Sequence, residues 1–303
     1  MIAGRRVRVR VPASTANLGS GFDVLGLALA LYNTIEMEAI GHGVELTVEG
    51  EGAERLVRHG EQSLVVRAAR AAFAHLGVAP PGLKIHLKNA IPLKRGLGSS
   101  GTACLGGILG AAGLGGHSLS PQEVLRLALP LEGHPDNITP SLVGGLTATC
   151  VSGAEIRYVK IPIPEAIRVV AVIPEMELST AQARAALPQQ VPLADAVHNV
   201  GRAAILVGAM VAGDLRLLDE ATRDRLHQPH RATLLPGMED VLAAARGAGA
   251  LAAFLSGAGS TVVALVDREA EAVGREMAAA WEKSGMRAEV KVLTVAREGA
   301  SLS

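Results

Sequence analysis

Twelve consecutive residues, Ile91-Pro92-Leu93-Lys94-Arg95-Gly96-Leu97-Gly98-Ser99-Ser100-Gly101-Thr102, constrain this chain more than any other stretch. They join a strand-like run, Leu83 to Leu87, to a helix of small residues, Thr102 to Ala112. Three glycines let the backbone approach a ligand and take positive φ. Two serines follow where a helix should start, and unpaired N–H groups and the macrodipole there attract anions. Lys94 and Arg95 add positive charge. The combination describes a phosphate cradle on a strand–loop–helix unit.

It is not the common P-loop, which needs Gly-Lys-Ser/Thr after four spacer residues. Gly96, Gly98 and Gly101 do satisfy the dinucleotide fingerprint Gly-x-Gly-x-x-Gly, which also asks for an acidic residue about 20 positions on. Glu123 is near that distance, but it completes the capping box Ser120-Pro121-Gln122-Glu123 at the next helix start. A dinucleotide-dependent oxidoreductase is the weaker reading.

The chain has 303 residues, enough for two domains. Aromatics are only 2%, so the core must be built from Ala, Val, Leu and Ile. Lys plus Arg and Asp plus Glu are 29 each, which argues for no nucleic-acid partner and no membrane surface. Arg6, Arg8 and Arg10 read as a solvated strand face. Cys104 and Cys150 read as small buried hydrophobes. No signal peptide is read before Val7, and the run Ala203 to Ala212 is too short to span a bilayer. It could serve a core or a subunit contact. The expectation is a soluble cytoplasmic protein, with a homodimer left open.

Periodicity predicts strands at Arg6 to Val11, Val44 to Val48, Leu146 to Val151, Arg168 to Ile173, Leu251 to Leu255, Thr261 to Val266 and Ala288 to Val292. Helices are expected at Ser63 to Leu76, from Ser120 toward Leu131, and at Leu193 to Ala212, Asp214 to Asp224, Pro236 to Arg246 and Glu269 to Lys283. Without a regular βαβ repeat this mixture predicts an α+β fold in two layers. A boundary at Gly153-Ala154 divides it into domains 1–153 and 154–303.

Four more segments carry more polar and special-backbone residues than structure needs. Pro12 to Asp23 offers an amide, hydroxyls and a carboxylate on a tight loop. Leu131-Glu132-Gly133-His134-Pro135-Asp136-Asn137-Ile138 packs two carboxylates, an imidazole and an amide together, and one or two carboxylates plus phosphate oxygens are the usual hold on Mg²⁺. In Ser179 to Arg184, Thr180 and Arg184 are spaced to share a helix face. In Leu226 to Arg231, His227 and His230 lack an obvious third partner for a zinc site.

Together with Ser256-Gly257-Ala258-Gly259-Ser260, these segments resemble the GHMP kinase family along nearly the whole chain, and most closely its branch that acts on L-homoserine. The resemblance implies two α+β domains: an N-terminal one with a left-handed crossover and the phosphate loop, and a ferredoxin-like C-terminal one. It implies transfer of the ATP γ-phosphoryl group to the side-chain hydroxyl of L-homoserine, giving O-phospho-L-homoserine for threonine synthesis. Pro92, Lys94, Gly96, Leu97, Gly98, Ser99, Ser100, Gly101 and Thr102 would hold ATP, with Ser63 near adenine where relatives often carry Asn. Ser99 or Ser100, with Glu132, would hold Mg²⁺. Arg184 and Arg231 would clamp the substrate carboxylate. Asp23, His134 and Asn137 would surround the ammonium group. Asn17 would orient the attacking hydroxyl, and Thr180 would sit near the γ-phosphate. An amide cannot be a general base, so catalysis would rest on positioning and charge stabilisation.

Overall fold

The computed structural model describes residues 4–79 and 82–303. Its strands are β1 (Arg6–Ala16), β2 (Leu25–Ile40), β3 (Val44–Gly50), β4 (Gly82–Asn89), β5 (Leu146–Ser152), β6 (Glu155–Ile161), β7 (Arg168–Pro174), β8 (Ala252–Leu255), β9 (Val262–Val266), β10 (Ala288–Thr294) and β11 (Ser301–Leu302). Its helices are α1 (Ala53–Val57), α2 (Leu64–His75), α3 (Ser99–Gly115), α4 (Pro121–Glu132), α5 (Pro135–Val143), α6 (Thr180–Ala185), α7 (Leu193–Ala212), α8 (Leu218–Ala221), α9 (Gln228–Ala232), α10 (Met238–Gly247) and α11 (Ala270–Lys283).

Two sheets organise the molecule, and the α+β expectation holds. Seven strands form the first, in the order β11-β1-β2-β4-β3, with β5 on the other part of β2 and β6 beyond it. The second runs β10-β7-β9-β8, antiparallel throughout. Within that half the chain order is strand, helices, two strands, helix, strand. We read this order as the ferredoxin-like half.

Strand β2 is the long spine of the first sheet, and the sequence reading assigned it to no element. Leu25, Leu27, Leu29 and Leu31 do alternate with Gly and Ala, but Leu and Ala are also good helix formers. The expected division at 153/154 falls at the turn of the β5–β6 hairpin, whose strands pair along their whole length. Passage to the second sheet comes later, between Ile161 and Arg168. The helix expected over Asp214 to Asp224 is instead a 3₁₀ turn, Leu215–Leu217, followed by the short α8. Cys104 is buried as expected, but Cys150 is exposed, at a position of β5 facing out of the sheet.

Low aromatic content forces close packing. One face of the first sheet packs Val9, Val11, Ile35, Met37 and Ile85 against α2, α3 and α4. Helix α3 lies within this layer, and its glycines permit that. A Cβ on Gly107 would sit 2.3 Å from the Val65 carbonyl oxygen, and one on Gly106 2.4 Å from Ile35. A second cluster joins the halves, with Leu25, Leu27 and Leu146 meeting Val169, Phe254 and Leu265. The third fills the space between the second sheet and α10 and α11, around Trp281.

Arg6, Arg8 and Arg10 face solvent as expected. Arg6 and Arg8 pair with Glu38 and Glu36 on β2, and Arg10 lies 3.5 Å over the Tyr32 ring. No helix among the described residues is long and apolar enough to cross a membrane.

Candidate active site

Helix α3 begins at Gly98, which caps it at φ 74° without a side chain to occupy the first N–H groups. Those amides open into a cleft of about 420 Å³ lined by Ser99, Ser100, Gly96 and Lys94 on one side and Gly257, Ala258 and Thr180 on another. Neither loop glycine tolerates a side chain. A Cβ on Gly96 would lie 2.0 Å from the Ser256 carbonyl oxygen, and one on Gly98 2.4 Å from the Ser14 hydroxyl.

The loop is braced from behind. Asn33 donates to the Thr102 hydroxyl (2.7 Å) and accepts from the Ala90 amide (2.9 Å). Thr102 in turn donates to the Ser99 carbonyl (2.8 Å). Thr102 is fully buried and does not line the cleft, so it acts as a buttress where the sequence reading placed it among the nucleotide contacts. Asn33 went unread because β2 itself went unread.

The far end of the cleft is apolar, with Leu46, Val48, Leu56, Leu64 and Leu87. Ser63 lies there, 8% exposed, and its hydroxyl has no hydrogen-bond partner. That suits a base edge.

A second cavity of about 200 Å³ adjoins the cleft and shares Ser100, Glu132, Asn137, Thr180, Gly257 and Ala258 with it. Ser100 donates to Glu132 Oε1 at 2.6 Å, whereas Ser99 donates to Asn89 Oδ1 at 3.2 Å. Burial raises the Glu132 carboxyl, and the Ser100 bond partly offsets it. A hydroxyl beside one carboxylate, opening on a phosphate loop, fits the oxygen-only preferences of Mg²⁺. No cluster of three His, Cys, Asp or Glu ligands occurs among the described residues, so phosphate oxygens and water would complete such a site.

The small cavity gathers Asn17, Asp23, His134, Asp136, Arg184 and Arg231. Asp23 and Arg184 form a bidentate pair, with Nη1 to Oδ2 at 2.7 Å. Asn17 donates to the Gly257 carbonyl (2.9 Å) and accepts from the Asp23 amide (3.0 Å), leaving one N–H and one lone pair. Asn137 accepts from Ser14 (3.1 Å). His134 Nδ1 lies 3.3 Å from the Glu132 carbonyl, which can only accept. The proton therefore sits on Nδ1 and Nε2 is an acceptor. Burial and the Arg184 charge hold this imidazole below its ordinary pKa, hence neutral at pH 7.

Asp136 is the residue that sequence reasoning passed over. It is one of the two carboxylates of the Leu131 to Ile138 segment, and residue type and spacing assign it no role. It is 3% exposed, its Oδ1 has no partner, and it lines the small cavity. Burial, with the Asp23 charge adding to it, pushes its pKa up to about 7. A buried carboxylate with an oxygen left unpaired is costly unless something cationic completes it.

Arg231 reaches the cavity from α9 and is 2% exposed. It donates to the Gly257 carbonyl (2.8 Å) and to His227 Nδ1 (3.2 Å). Burial and the neighbouring Arg184 lower its pKa to about 10, so it stays charged at neutral pH. His227 Nδ1 must accept that bond, so Nε2 carries the proton, donated to the Gly19 carbonyl at 2.9 Å. Asp224 accepts from the His227 and Gln228 amides and from Asn199, which also donates to the Ser20 carbonyl. Phe22 stacks on His227 (centroids 5.0 Å apart) and faces both guanidinium groups. His227 is thus held through both ring nitrogens and braces Arg231.

Comparison with known proteins gives a consistent result. Residues 63–145 match the GHMP kinases N terminal domain and residues 206–283 the GHMP kinases C terminal domain. A homoserine kinase of Moorella thermoacetica is 45% identical over 96% of this chain and 98% of its own length. A homoserine kinase of Aquifex aeolicus is 41% identical over 97% and 98%. A crystal structure of homoserine kinase from Cytophaga hutchinsonii superposes with a TM-score of 0.90 at 29% identity, covering 100% of this chain and 99% of that one. A mevalonate kinase at 17% identity, TM-score 0.71, shares the fold.

Proposed function

The chain belongs to the GHMP kinase family and, within it, to the homoserine kinases; from that premise we propose how its own residues transfer the ATP γ-phosphoryl group to the side-chain hydroxyl of L-homoserine. The observation that carries the reading is the junction of the two cavities. One is a phosphate loop with an apolar end; the other is a small chamber with two guanidinium groups and a buried carboxylate, Asp136, whose Oδ1 has no partner.

Amides at the start of α3 and Lys94 receive the triphosphate, and Ser63 meets the base. The Arg184 and Arg231 guanidinium groups hold the substrate carboxylate. Asp136 and His134 Nε2 receive its ammonium group, and Asp23 balances Arg184. This fixes both ends of the amino acid, so its side chain reaches the junction where Asn137, Asn17 and Thr180 orient the hydroxyl and the γ-phosphate. There the hydroxyl oxygen bonds phosphorus as the bond to the bridging oxygen breaks. ADP leaves, and the hydroxyl proton passes to phosphate oxygens and solvent. Ser100 and Glu132 would hold Mg²⁺, which when bound neutralises phosphate charge. No side chain at the junction needs to be a strong base, because the transition state is loose and catalysis rests on position. We place the enzyme in the cytoplasm, with ATP, and infer a homodimer.

The test is ADP release with ATP, Mg²⁺ and, in turn, L-homoserine, L-serine, L-threonine, mevalonate and shikimate. Homoserine should turn over best, at about 1–100 per second. Serine, one methylene shorter, should be disfavoured by about 1–3 kcal/mol. Preference for a substrate without an ammonium group would contradict the assignment of Asp136 and His134. In Arg184→Ala, KM for homoserine should rise at least about 100-fold; an unchanged KM would remove Arg184 from the clamp.

A further inference from the structure

The side chain of Asp224 is 0% exposed, and it lines neither cavity. Both of its oxygens are filled. Oδ1 accepts from Asn199 Nδ2 (2.6 Å) and from the Leu226 amide (3.0 Å). Oδ2 accepts from the amides of His227 (2.9 Å) and Gln228 (2.6 Å). Burial opposes its ionisation, but the neighbouring His227 and the bonds from Asn199, Gln228 and His227 outweigh it and hold the carboxyl below the ordinary aspartate range. A buried carboxylate with its acceptor sites satisfied in this way is a fixed point for the chain around it.

What it fixes is helix α9. Five residues are too few for a helix to be stable through its own hydrogen bonds. Asp224 gathers the amides at its start, and one turn further on Arg231 reaches the substrate chamber. Arg231 Nη1 donates back to His227 Nδ1 at 3.2 Å. Carboxylate, helix start and guanidinium therefore move together.

Asn199 joins this piece to the loop that carries Asp23. It lies on α7, 2% exposed, and donates both to Asp224 and to the Ser20 carbonyl (3.1 Å) while accepting from the Arg225 amide (2.9 Å). Around it the two segments touch closely. Ser20 Oγ donates to the Ala221 carbonyl at 2.7 Å, and a Cβ on Gly19 would lie 1.8 Å from the Thr222 carbonyl oxygen. Three residues past Ser20, Asp23 holds Arg184. The spacing between the two guanidinium groups of the chamber is thus set behind its walls.

We propose that Asp224 and Asn199 are positioning residues for substrate recognition, which hold Arg231 at the separation from Arg184 that one carboxylate can bridge. The proposal rests on the reading of Arg184 and Arg231 as the carboxylate clamp. Neither Asp224 nor Asn199 touches substrate, and their effect passes through Arg231. A residue that only stabilised the fold would affect every substrate alike. A positioning residue affects the substrate that carries the carboxylate.

The experiment compares L-homoserine with L-homoserinamide, in which a neutral amide replaces the carboxylate, using the full chain with ATP and Mg²⁺. The parent should prefer homoserine. Asp224→Asn turns an oxygen that accepts two amides into an NH₂ donor. Its kcat/KM for homoserine should fall about 100-fold, since a displacement of about 1 Å is enough. The loss should lie in KM, with kcat and the KM for ATP within about threefold of the parent. With homoserinamide kcat/KM should also stay within about threefold, so that the preference for the carboxylate collapses. Asn199→Ala keeps the bonds from the amides of α9 and should act in the same direction more weakly. It carries the test where Asp224→Asn does not fold. Arg231→Ala tests the clamp separately and should abolish the preference. If it does, while Asp224→Asn and Asn199→Ala lose equally on both substrates or lose only kcat, the positioning proposal is overturned and the clamp stands. If Arg231→Ala keeps the preference, the clamp itself falls and the positioning role falls with it.

Discussion

Asp136 concentrates the chemistry of the substrate chamber in one carboxyl group. Its pKa of about 7 lies above the ordinary aspartate value, so the folded state holds a proton that the unfolded chain releases near pH 4. Its contribution to stability is therefore greatest below the unfolded value and is lost as pH rises through about 7. Binding runs the other way, because an ammonium group requires the ionised form. Below pH 7, kcat/KM for homoserine should fall about tenfold per pH unit, since it reports the free enzyme. In Asp136→Asn that limb should vanish and kcat/KM should be low, by about 100-fold or more. Above pH 7 the same variant should melt a few degrees higher, having lost an unpaired buried charge. A variant that melts lower at pH 8 would show that Asp136 has a cationic partner in the free protein.

At the scale of elements, α3 ties the phosphate loop to the core. Its glycines set how close α2 and β2 can come, and its first turn supplies the amides of the cradle. Gly107→Ala places a methyl group against the Val65 carbonyl oxygen. It should cost about 1–3 kcal/mol and raise the KM for ATP, because α3 must shift. An unfolding midpoint within error of the parent would contradict the packing described. The loop, the α4 capping box and α7 were legible in the sequence because each has a local cause: positive φ, a Ser-Glu exchange of bonds, and a long apolar period. Strand β2 was not, because its Leu-Ala run carries opposed helix propensity and only tertiary pairing with β1, β4 and β5 decides it. The role of Asp136 was hidden for a related reason. A carboxylate in the first turn of a helix normally faces water, and only the assembled chamber buries this one.

At the scale of the molecule, the halves are stitched together where they react. Asn17 and Arg231 both bond the Gly257 carbonyl, Ser256 donates to Gly96, and Ser20 donates to Ala221. His227 lies in this seam, with its pKa lowered to about 4, chiefly by burial. The folded imidazole stays neutral while the unfolded chain takes up a proton near pH 6.5. Its stabilisation is present above 6.5 and is lost as pH falls toward 4. Urea midpoints of the parent should drop more steeply over that window than those of His227→Gln. Parallel curves would mean that His227 is protonated in the folded seam.

Phosphorus NMR of a reaction containing ATP, Mg²⁺, L-homoserine and the purified chain tests the central claim most directly. The account predicts a phosphomonoester resonance growing in step with ADP and matching O-phospho-L-homoserine. Inorganic phosphate appearing in its place would contradict it, because the nucleotide would then be hydrolysed in a chamber that does not hold the amino acid in line.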